Sequence, residues 1–395
     1  MLFLARAVRM SGYGALGLVL VLYLTSAGLD AGQIGVILAL TLAGDTVISL
    51  FLTTHADRIG RRRSLVIGAV LMAAAGFVFA GSTGFLVLLV TATLGVLSPS
   101  GAEVGPFLPI EQASLTEVTP PGRRTSIYAW YNLTGSIATA VGALIAGLVV
   151  GALRDAGWSE IDAYRVILVS YAMRGLILIP IIRAVSPAVE VPPVDTSIAR
   201  RLGLHRSQRV VLQLSSLFAL DAFGGGLIVQ SLLAYWFHSR FGLPEPVLGA
   251  IFFGANILAA VSALAAARIA ARIGLINTMV FTHLPSNVLL MLVPLMPTVE
   301  LAILVLLARF SISQMDVPTR QSYTMAVVDP DERSAAAGVT GIARTTGAAL
   351  SPLIAAPLFA SATLASVPFF LAGGLKIVYD LALWRLFRNR RPPSP

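Results

Sequence analysis

Charged and polar side chains recur at helical spacing late in the chain. Arg309, Ser313, Asp316 and Arg320 are separated by four, three and four residues, which places them along one face of a helix. Asp316 and Arg320 can form an ion pair along that face. Pro318 lies between them and predicts a kink that exposes backbone carbonyls. We call these four residues the stripe. They suit a binding site for a charged solute and a structural ladder, that is, a series of ion pairs that holds helices together, equally well.

Other apolar stretches contain carboxylates that are candidates for carrying a proton or for binding a charged group of a substrate: Asp45, Glu103, Glu111 and Asp221. Asp221 is the first choice because no basic residue lies within one turn of it, and an isolated acid in apolar surroundings can carry a proton. Glu103, set between Gly101 and Gly105, is the second. Glu111 is the expected acidic partner of the stripe if the stripe is a structural ladder.

Further polar side chains within apolar stretches are predicted to line a cavity: Tyr13, Asn132, Gln230 and Gln314. His283 is predicted to be a packing or interfacial residue. Lys376 and Asp380 are four residues apart and are predicted to neutralise each other.

The composition requires lipid as the solvent of these stretches. Of 395 residues, 56% are hydrophobic and 12% are charged, and the mean hydropathy is +0.84. A soluble domain carries about 25% charged residues. Twelve apolar segments of spanning length follow one another, from about 8–28 to about 366–387, and they predict an all-α membrane protein with twelve transmembrane helices.

The net charge of +9 does not predict a nucleic-acid partner, because the arginines lie at segment ends and not on one basic face. Most of them, including Arg6 and Arg9, fall on one side of the predicted topology, which predicts that both termini are cytoplasmic. Arginine is abundant and the only lysine is Lys376, a bias typical of GC-rich bacterial genomes. We therefore expect a multi-pass protein of a bacterial inner membrane.

The second half of the chain repeats the first. Adding 209 to Pro109, Gln112, Val118, Pro121 and Arg124 gives the same residue types at Pro318, Gln321, Val327, Pro330 and Arg333. A second block, which begins at Gly28 and Leu29, repeats at an offset of 214. The repeat predicts two six-helix bundles, 1–184 and 209–395, joined by a cytoplasmic linker at 185–208. In repeat-built membrane proteins the binding site is expected between the halves.

One short motif resembles the signature of the major facilitator superfamily. Asp57-Arg58-Ile59-Gly60-Arg61-Arg62-Arg63 follows the second apolar segment, and Arg272-Ile273-Gly274 echoes it in the second half. Two features depart from the family pattern: Thr53 stands where the signature begins with glycine, and the glycine- and proline-rich antiporter motif is not recognisable around 135–142.

The resemblance implies a transporter that works by alternating access. It implies that Asp57, Arg58 and Arg62 help to close the cytoplasmic side. Helices 2 and 11 meet in that fold, so Arg344 is expected to act in gating and to be an alternative partner of Asp45.

The function predicted from the sequence is secondary active transport of a small organic solute, with proton-coupled export of a drug-like molecule or metabolite as the first choice. A uniporter, a metal-ion or organic-anion transporter, and a membrane sensor without flux stay open as alternatives. No phosphate-binding Gly-x4-Gly-Lys motif, no His-Glu-x-x-His motif and no cysteine is present, which argues against a primary pump and an enzyme. We expect no cofactor or bound metal, and a monomer.

Overall fold

The computed structural model describes residues 1–120, 123–190, 206–329 and 332–388, apart from the side chains of residues 57, 124–126 and 334. These residues form α-helices, two short 3-10 turns and connecting loops. The helices of the first half are α1 (Leu2–Ser26), α2 (Ala31–Thr54), α3 (Ala56–Ile59), α4 (Arg61–Gly81), α5 (Phe85–Leu94), α6 (Phe107–Val118), α7 (Arg124–Asp155) and α8 (Glu160–Arg183).

The remaining helices of the described chain are α9 (Gln208–Gly226), α10 (Gln230–Phe241), α11 (Glu245–Ile273), α12 (Leu275–Leu292), α13 (Val299–Phe310), α14 (Asp316–Ala326), α15 (Arg333–Leu350), α16 (Pro352–Ala360) and α17 (Val367–Phe387). Ten of the helical stretches are long and apolar enough to cross a membrane. The interrupted segments α5/α6 and α13/α14 bring the number to the predicted twelve. The predicted all-α membrane fold is confirmed.

The two interruptions occupy equivalent places in the repeat. One joins α5 to α6 through residues 95–106, and the other joins α13 to α14 through residues 311–315. The helices that follow begin at Phe107 and Asp316, which are 209 residues apart. The predicted kink between Asp316 and Arg320 is therefore wrong in position. The break lies before Pro318, which occupies the first turn of α14, where a missing N–H costs no helical hydrogen bond.

The chain divides into two compact units. Unit 1 comprises Met1–Asp195 and Val229–Asn256, and unit 2 comprises Thr196–Ile228 and Ile257–Pro395. Of the predicted linker 185–208, residues 191–205 lie outside the described residues. The predicted boundaries at 184 and 209 stay a prediction.

Helix α1 is the core of unit 1 and packs against α7, α8 and α10. In unit 2, α9 packs against α15 and α17, and α12 packs against α14 and α17. Both units rely on glycine at close helix crossings. A Cβ placed on Gly142 of α7 would lie 2.0 Å from the carbonyl oxygen of Ser11, and one on Gly347 of α15 would lie 2.3 Å from that of Ala219. Small residues of this kind allow helix backbones to approach each other in lipid.

We expect Gly142→Ala to destabilise the protein by about 1–3 kcal/mol, because the added methyl group forces α1 and α7 apart. The measurement is thermal unfolding of the purified protein in detergent. Gly338→Ala is the matched control, since a Cβ there meets nothing within 4 Å and alanine favours the helix. Equal melting temperatures for the two variants would contradict the close crossing.

Candidate functional site

The core of unit 1 contains a paired arginine and glutamate. The Arg9 guanidinium donates through Nη1 to Glu111 Oε1 at 2.9 Å and through Nη2 to Glu111 Oε2 at 2.7 Å. Both side chains are 0% exposed. The Nε of Arg9 donates to Glu103 Oε1 at 2.9 Å, and the guanidinium lies over the ring of Phe107. A bidentate pair of this geometry is among the stronger polar contacts in proteins.

A second arginine extends this cluster. Arg6 Nη1 lies 3.0 Å from Glu103 Oε2, and Nη2 donates to Asn132 Oδ1 at 3.4 Å. Its guanidinium lies 4.3 Å from the ring centroid of Tyr131, whose hydroxyl donates to Glu111. We name Arg6, Arg9, Glu103, Glu111 and Tyr131 the unit 1 cluster. Two arginines and two glutamates are thus neutralised inside one unit.

The prediction that Arg6 and Arg9 anchor the chain at a segment end is wrong. Helix α1 begins at Leu2 and not near residue 8, so both arginines lie in its second and third turns and are buried. Their spacing of three residues puts them on one helical face. This spacing is the signal for a buried pair of arginines, and a helix that begins near residue 8 would leave both of them outside it.

Glu103 reaches the cluster because the chain between α5 and α6 is not helical. Gly101 and Gly105 have φ values of +69° and +81°, a backbone conformation that residues with side chains rarely adopt. The hydroxyl of Tyr13 donates to the Val104 carbonyl at 3.2 Å, and Asp45 Oδ1 accepts the Gly105 N–H at 2.6 Å. Tyr13 and Asp45 therefore hold the loop that presents Glu103.

Asp45 is bound by neutral groups. Besides Gly105, its Oδ1 accepts a long bond of 3.5 Å from Ser49. Among the described residues of unit 1, no lysine, arginine or histidine forms an ion pair with it. The predicted pairing with Arg344 would join the two units and stays a prediction.

Gln230 lies beside the same loop. Its Oε1 accepts from Asn256 Nδ2 at 3.2 Å, and a Cβ placed on Gly101 would meet that oxygen at 3.3 Å. The next residue, Ser231, donates its N–H to the Pro99 carbonyl at 3.1 Å. The predicted liners Tyr13, Asn132 and Gln230 are thus brought near the interruption of the fourth segment.

The core of unit 2 contains a second cluster, centred on Asp221. Asp221 Oδ1 lies 2.6 Å from Lys376 Nζ, and Oδ2 lies 3.0 Å from Arg320 Nη1. His283 Nε2 is 3.9 Å from Oδ1. The prediction that Asp221 is an isolated acid is therefore wrong. Its basic partners come from α12, α14 and α17, which are distant in sequence and invisible to a search within one turn.

Two more acids complete the unit 2 cluster, which comprises Asp221, His283, Asp316, Arg320, Lys376 and Asp380. Arg320 Nη1 also donates to Asp316 Oδ2 at 3.0 Å, so the ion pair predicted from their spacing is confirmed. Asp380 accepts from His283 Nδ1 and from Asn287 Nδ2, each at 2.9 Å.

Two predictions about peripheral residues are corrected by this cluster. Lys376 binds Asp221 and Asp380 binds His283, so Lys376 and Asp380 do not form the predicted local pair. His283 is buried and hydrogen-bonded, and it is not a simple packing or interfacial residue. The reason is that α17 packs against both α9 and α12, which offer better-placed partners than the next turn of α17 itself.

The repeat relates the two clusters with inverted charge. Glu111 of α6 and Arg320 of α14 are 209 residues apart, and Arg9 of α1 and Asp221 of α9 are 212 residues apart. Each unit therefore contains one ion pair between its first helix and the helix after its interruption, with the signs exchanged. Both oxygens of Glu111 are occupied within unit 1. The predicted ladder from the stripe to Glu111 is replaced by one pair in each unit.

The remaining predicted residues of unit 2 lie around the second interruption. Arg309 is 8% exposed and lies over the ring of Phe310, with 4.9 Å between its guanidinium carbon and the ring centroid. The backbone N–H of Gln314 donates to Ser262 Oγ at 3.3 Å. Arg344, on α15, is half-buried, and its buried Nε has no hydrogen-bond partner among the described residues.

The signature loop begins α4 and is held by an acid that sequence reasoning missed. Glu190 accepts the backbone N–H groups of Arg61 at 2.8 Å and Arg62 at 3.1 Å. Arg62 also donates to the Arg183 carbonyl. A carboxylate at a helix N-terminus is favourably placed with respect to the helix dipole. The side chain of Asp57 lies outside the described residues, so its predicted gating role stays a prediction, as do those of Arg58 and Arg62.

Twelve apolar segments, matching interruptions and a buried ion pair in each unit define a repeat-built polytopic membrane protein with a fold typical of transporters. The sequence model of the Major Facilitator Superfamily matches residues 2–352. The chain belongs to that superfamily and is a transporter-family protein and not an enzyme.

Known proteins resemble this chain over most or part of its length. An uncharacterized membrane protein of Saccharomyces cerevisiae, YJR124C, is 30% identical over 411 residues, which cover 96% of this chain and 92% of the yeast protein. The crystal structure of a D-xylose-proton symporter superposes with a TM-score of 0.74 at 15% identity, covering 97% of this chain and 96% of that one. The quinolone resistance protein NorA of Staphylococcus aureus is 27% identical over 119 residues, 30% of this chain and 29% of NorA.

Proposed function

We propose that this protein is a secondary active transporter that moves a small organic solute by alternating access, with proton-coupled export as the direction and coupling. The observation that carries the proposal is the ion pair beside an interrupted helix in each unit. Interrupted helices at corresponding places of two repeats mark the binding region of many secondary transporters. Buried charges within spanning segments are costly, and they persist mainly where they serve transport.

Export is favoured by the partial similarity to NorA, whose name describes quinolone resistance.

We propose a bacterial inner membrane as the location, with cytoplasmic termini and a monomeric protein. The two-bundle division at 184 and 209, and gating by Asp57, Arg58, Arg62 and Arg344, belong to the same proposal.

Asp45 is our candidate for the proton-binding group. Asp221, Glu103 and Glu111 are each held by at least one basic side chain. Among the described residues of unit 1, Asp45 accepts only neutral donors. An acid within the membrane that lacks a basic partner is most easily accommodated in its neutral, protonated form. Its bond to Gly105 also connects its protonation to the loop that carries Glu103.

The test is transport in proteoliposomes with the pH-sensitive dye pyranine inside. The solutes are norfloxacin, benzoate, tetraphenylphosphonium, uridine and D-xylose. We expect at least one solute to move protons in the parent protein. We expect Asp45→Asn to abolish proton-driven accumulation of that solute while solute exchange without a gradient continues, because the variant site stays neutral throughout the cycle.

Asp155→Asn is the matched control, since Asp155 is exposed at the end of α7. Solute flux without proton movement in the parent protein would indicate a uniporter. Saturable binding without flux under any gradient would indicate a sensor. Proton-driven accumulation by Asp45→Asn at the parental rate would exclude Asp45 as the coupling group.

A further inference from the structure

The unit 2 cluster contains a histidine between two carboxylates. His283 Nδ1 lies 2.9 Å from Asp380 Oδ1, and Nε2 of the same ring lies 3.9 Å from Asp221 Oδ1. All three side chains are buried. His283 and Asp380 come from α12 and α17, which pack against each other. Ionisable side chains within spanning segments often belong to proton relays, and the proposed function assigns no task to this histidine.

A neutral imidazole ring does not suit both carboxylates, because it carries hydrogen on one nitrogen only. With the hydrogen on Nδ1, the ring donates to Asp380, and the lone pair of Nε2 faces the negative oxygen of Asp221. With the hydrogen on Nε2, the lone pair of Nδ1 faces Asp380, a contact that is favourable only when Asp380 itself carries a hydrogen. Both contacts are favourable together when His283 and Asp380 share one additional proton.

The charges of the cluster lead to the same proton. Arg320 and Lys376 pair with Asp221 and Asp316. Among the described residues of unit 2, Asp380 forms no ion pair with a lysine or an arginine. An ionised carboxylate without a compensating charge is costly in a low-dielectric interior. A proton shared with the histidine supplies that charge.

Other groups near the pair do not replace this proton. The second partner of Asp380 is Asn287, which is neutral and donates from Nδ2 to Oδ2 at 2.9 Å. Arg309 belongs to α13, which also packs against α12, and Arg344 belongs to α15. Among the described residues of unit 2, neither arginine forms an ion pair with Asp380. The additional proton is therefore the positive charge that lies in contact with this acid.

We propose that His283 and Asp380 together bind one exchangeable proton and form a second proton-binding site of the transporter, besides Asp45. In the bound state the additional hydrogen is on the imidazole or on the Asp380 carboxyl group. The two descriptions hold the same number of protons, since two titrating groups in contact behave as a pair. On release the hydrogen leaves the pair, the ring becomes neutral and Asp380 becomes an ionised carboxylate.

Asp221 connects this proton to the helix that follows the second interruption. Its Oδ1 faces His283, and its Oδ2 lies 3.0 Å from Arg320 Nη1 in α14. A cationic group of a solute that binds Asp221 would weaken the attraction of this acid for the protonated ring and so favour release of the proton. That exchange of solute for proton is what proton-coupled export requires, and in this respect alone the site rests on the proposed function.

The first measurement detects the proton on the protein itself. Replacing His55, His205 and His238 by glutamine leaves His283 as the only histidine of the chain. Nitrogen NMR of this protein in nanodiscs reports whether one or both ring nitrogens carry hydrogen, and infrared spectroscopy reports a protonated carboxyl group that Asp380→Asn removes. We expect an imidazolium or a carboxylic acid at mildly acidic pH and its loss at alkaline pH.

The second measurement is the number of protons moved per solute molecule in proteoliposomes, with norfloxacin and tetraphenylphosphonium as solutes. We expect His283→Asn to move about half as many protons per solute as the parent, because one of two proton sites is lost. The asparagine amide can still donate to Asp380 in place of Nδ1. His238→Asn is the matched control, since His238 Nδ1 is hydrogen-bonded to the backbone carbonyl of Leu243, and it should keep the parental ratio.

Two spectroscopic results would overturn the site: a neutral His283 ring beside an ionised Asp380 at mildly acidic pH, or a proton that is never released while the protein stays folded. An unchanged proton-to-solute ratio in His283→Asn would exclude the pair from coupling. If that variant folds too poorly to assay, the spectra of the single-histidine protein, whose cluster is intact, decide. A bound proton without flux of any solute would refute transport and leave the site intact. Proton-coupled flux with a neutral His283 and an ionised Asp380 would refute the site and leave transport intact.

Discussion

Replacing Arg9 by glutamine should lower the free energy of unfolding by about 3–5 kcal/mol, the cost of breaking a buried ion pair from one side. The loss is large because Glu111 is 0% exposed and accepts both of its guanidinium bonds from Arg9. Glu103 would lose its 2.9 Å bond at the same time and keep only Arg6. The measurement is thermal and denaturant-induced unfolding of the purified protein in detergent.

Two further variants separate loss of charge pairing from loss of packing. Arg63→Gln, at an exposed arginine of α4, should unfold like the parent protein. Arg9→Gln combined with Glu111→Gln should recover much of the lost stability, because neither partner is then left as an unpaired buried charge. If the double variant is less stable than Arg9→Gln alone, charge pairing is not the reason for the loss.

Asp221→Asn should cost a similar amount, about 3–5 kcal/mol, and should also abolish transport. Asp221 binds Lys376 and Arg320 with its two oxygens, and Arg320 retains Asp316 after the substitution. Lys376 has no such second acid at hydrogen-bond distance among the described residues. The measurements are unfolding in detergent and solute flux in proteoliposomes.

A second substitution, at Lys376, tests why Asp221→Asn should lower the stability. Lys376→Met in the Asp221→Asn background removes the cation that the first substitution left unpaired, so it should recover most of the lost stability. We expect transport to stay absent in the double variant, since its net charge equals that of the parent but the acid that binds Arg320 is still missing. Recovery of stability without recovery of flux would separate the structural role of Asp221 from its role in transport. Parental flux in Asp221→Asn would exclude the acid from the transport site.

Local spacing predicted some of these contacts well and others badly. Asp316 and Arg320 were expected to pair from their separation of four residues, and they do. The same spacing between Lys376 and Asp380 does not produce an ion pair, because each has a nearer partner on a neighbouring helix. Lys376 binds Asp221, and Asp380 binds His283. A helical repeat of four residues permits a contact, and competing partners on other helices decide whether it forms.

The two ion pairs of inverted charge were also only partly predictable from the sequence. The sequence repeat indicated that Glu111 and Arg320 occupy equivalent positions of opposite charge. It did not indicate that Arg9 and Asp221 invert as well, because Arg9 was assigned to the membrane surface. Once α1 is seen to begin at Leu2, both exchanges follow from one rule, which is that the buried charge of the first helix of each unit is paired within that unit.

Composition and periodicity by themselves determined the membrane as solvent, the twelve apolar segments, the internal repeat and the family signature. These features depend on the order of residues along the chain and on hydropathy averaged over about 20 residues, so packing does not alter them. The tertiary structure decided which charges are paired, where segments four and ten are interrupted, and which residues are left unsatisfied. Pairing depends on distances of about 3 Å between side chains from helices far apart in sequence, and no spacing along a single helix contains that information.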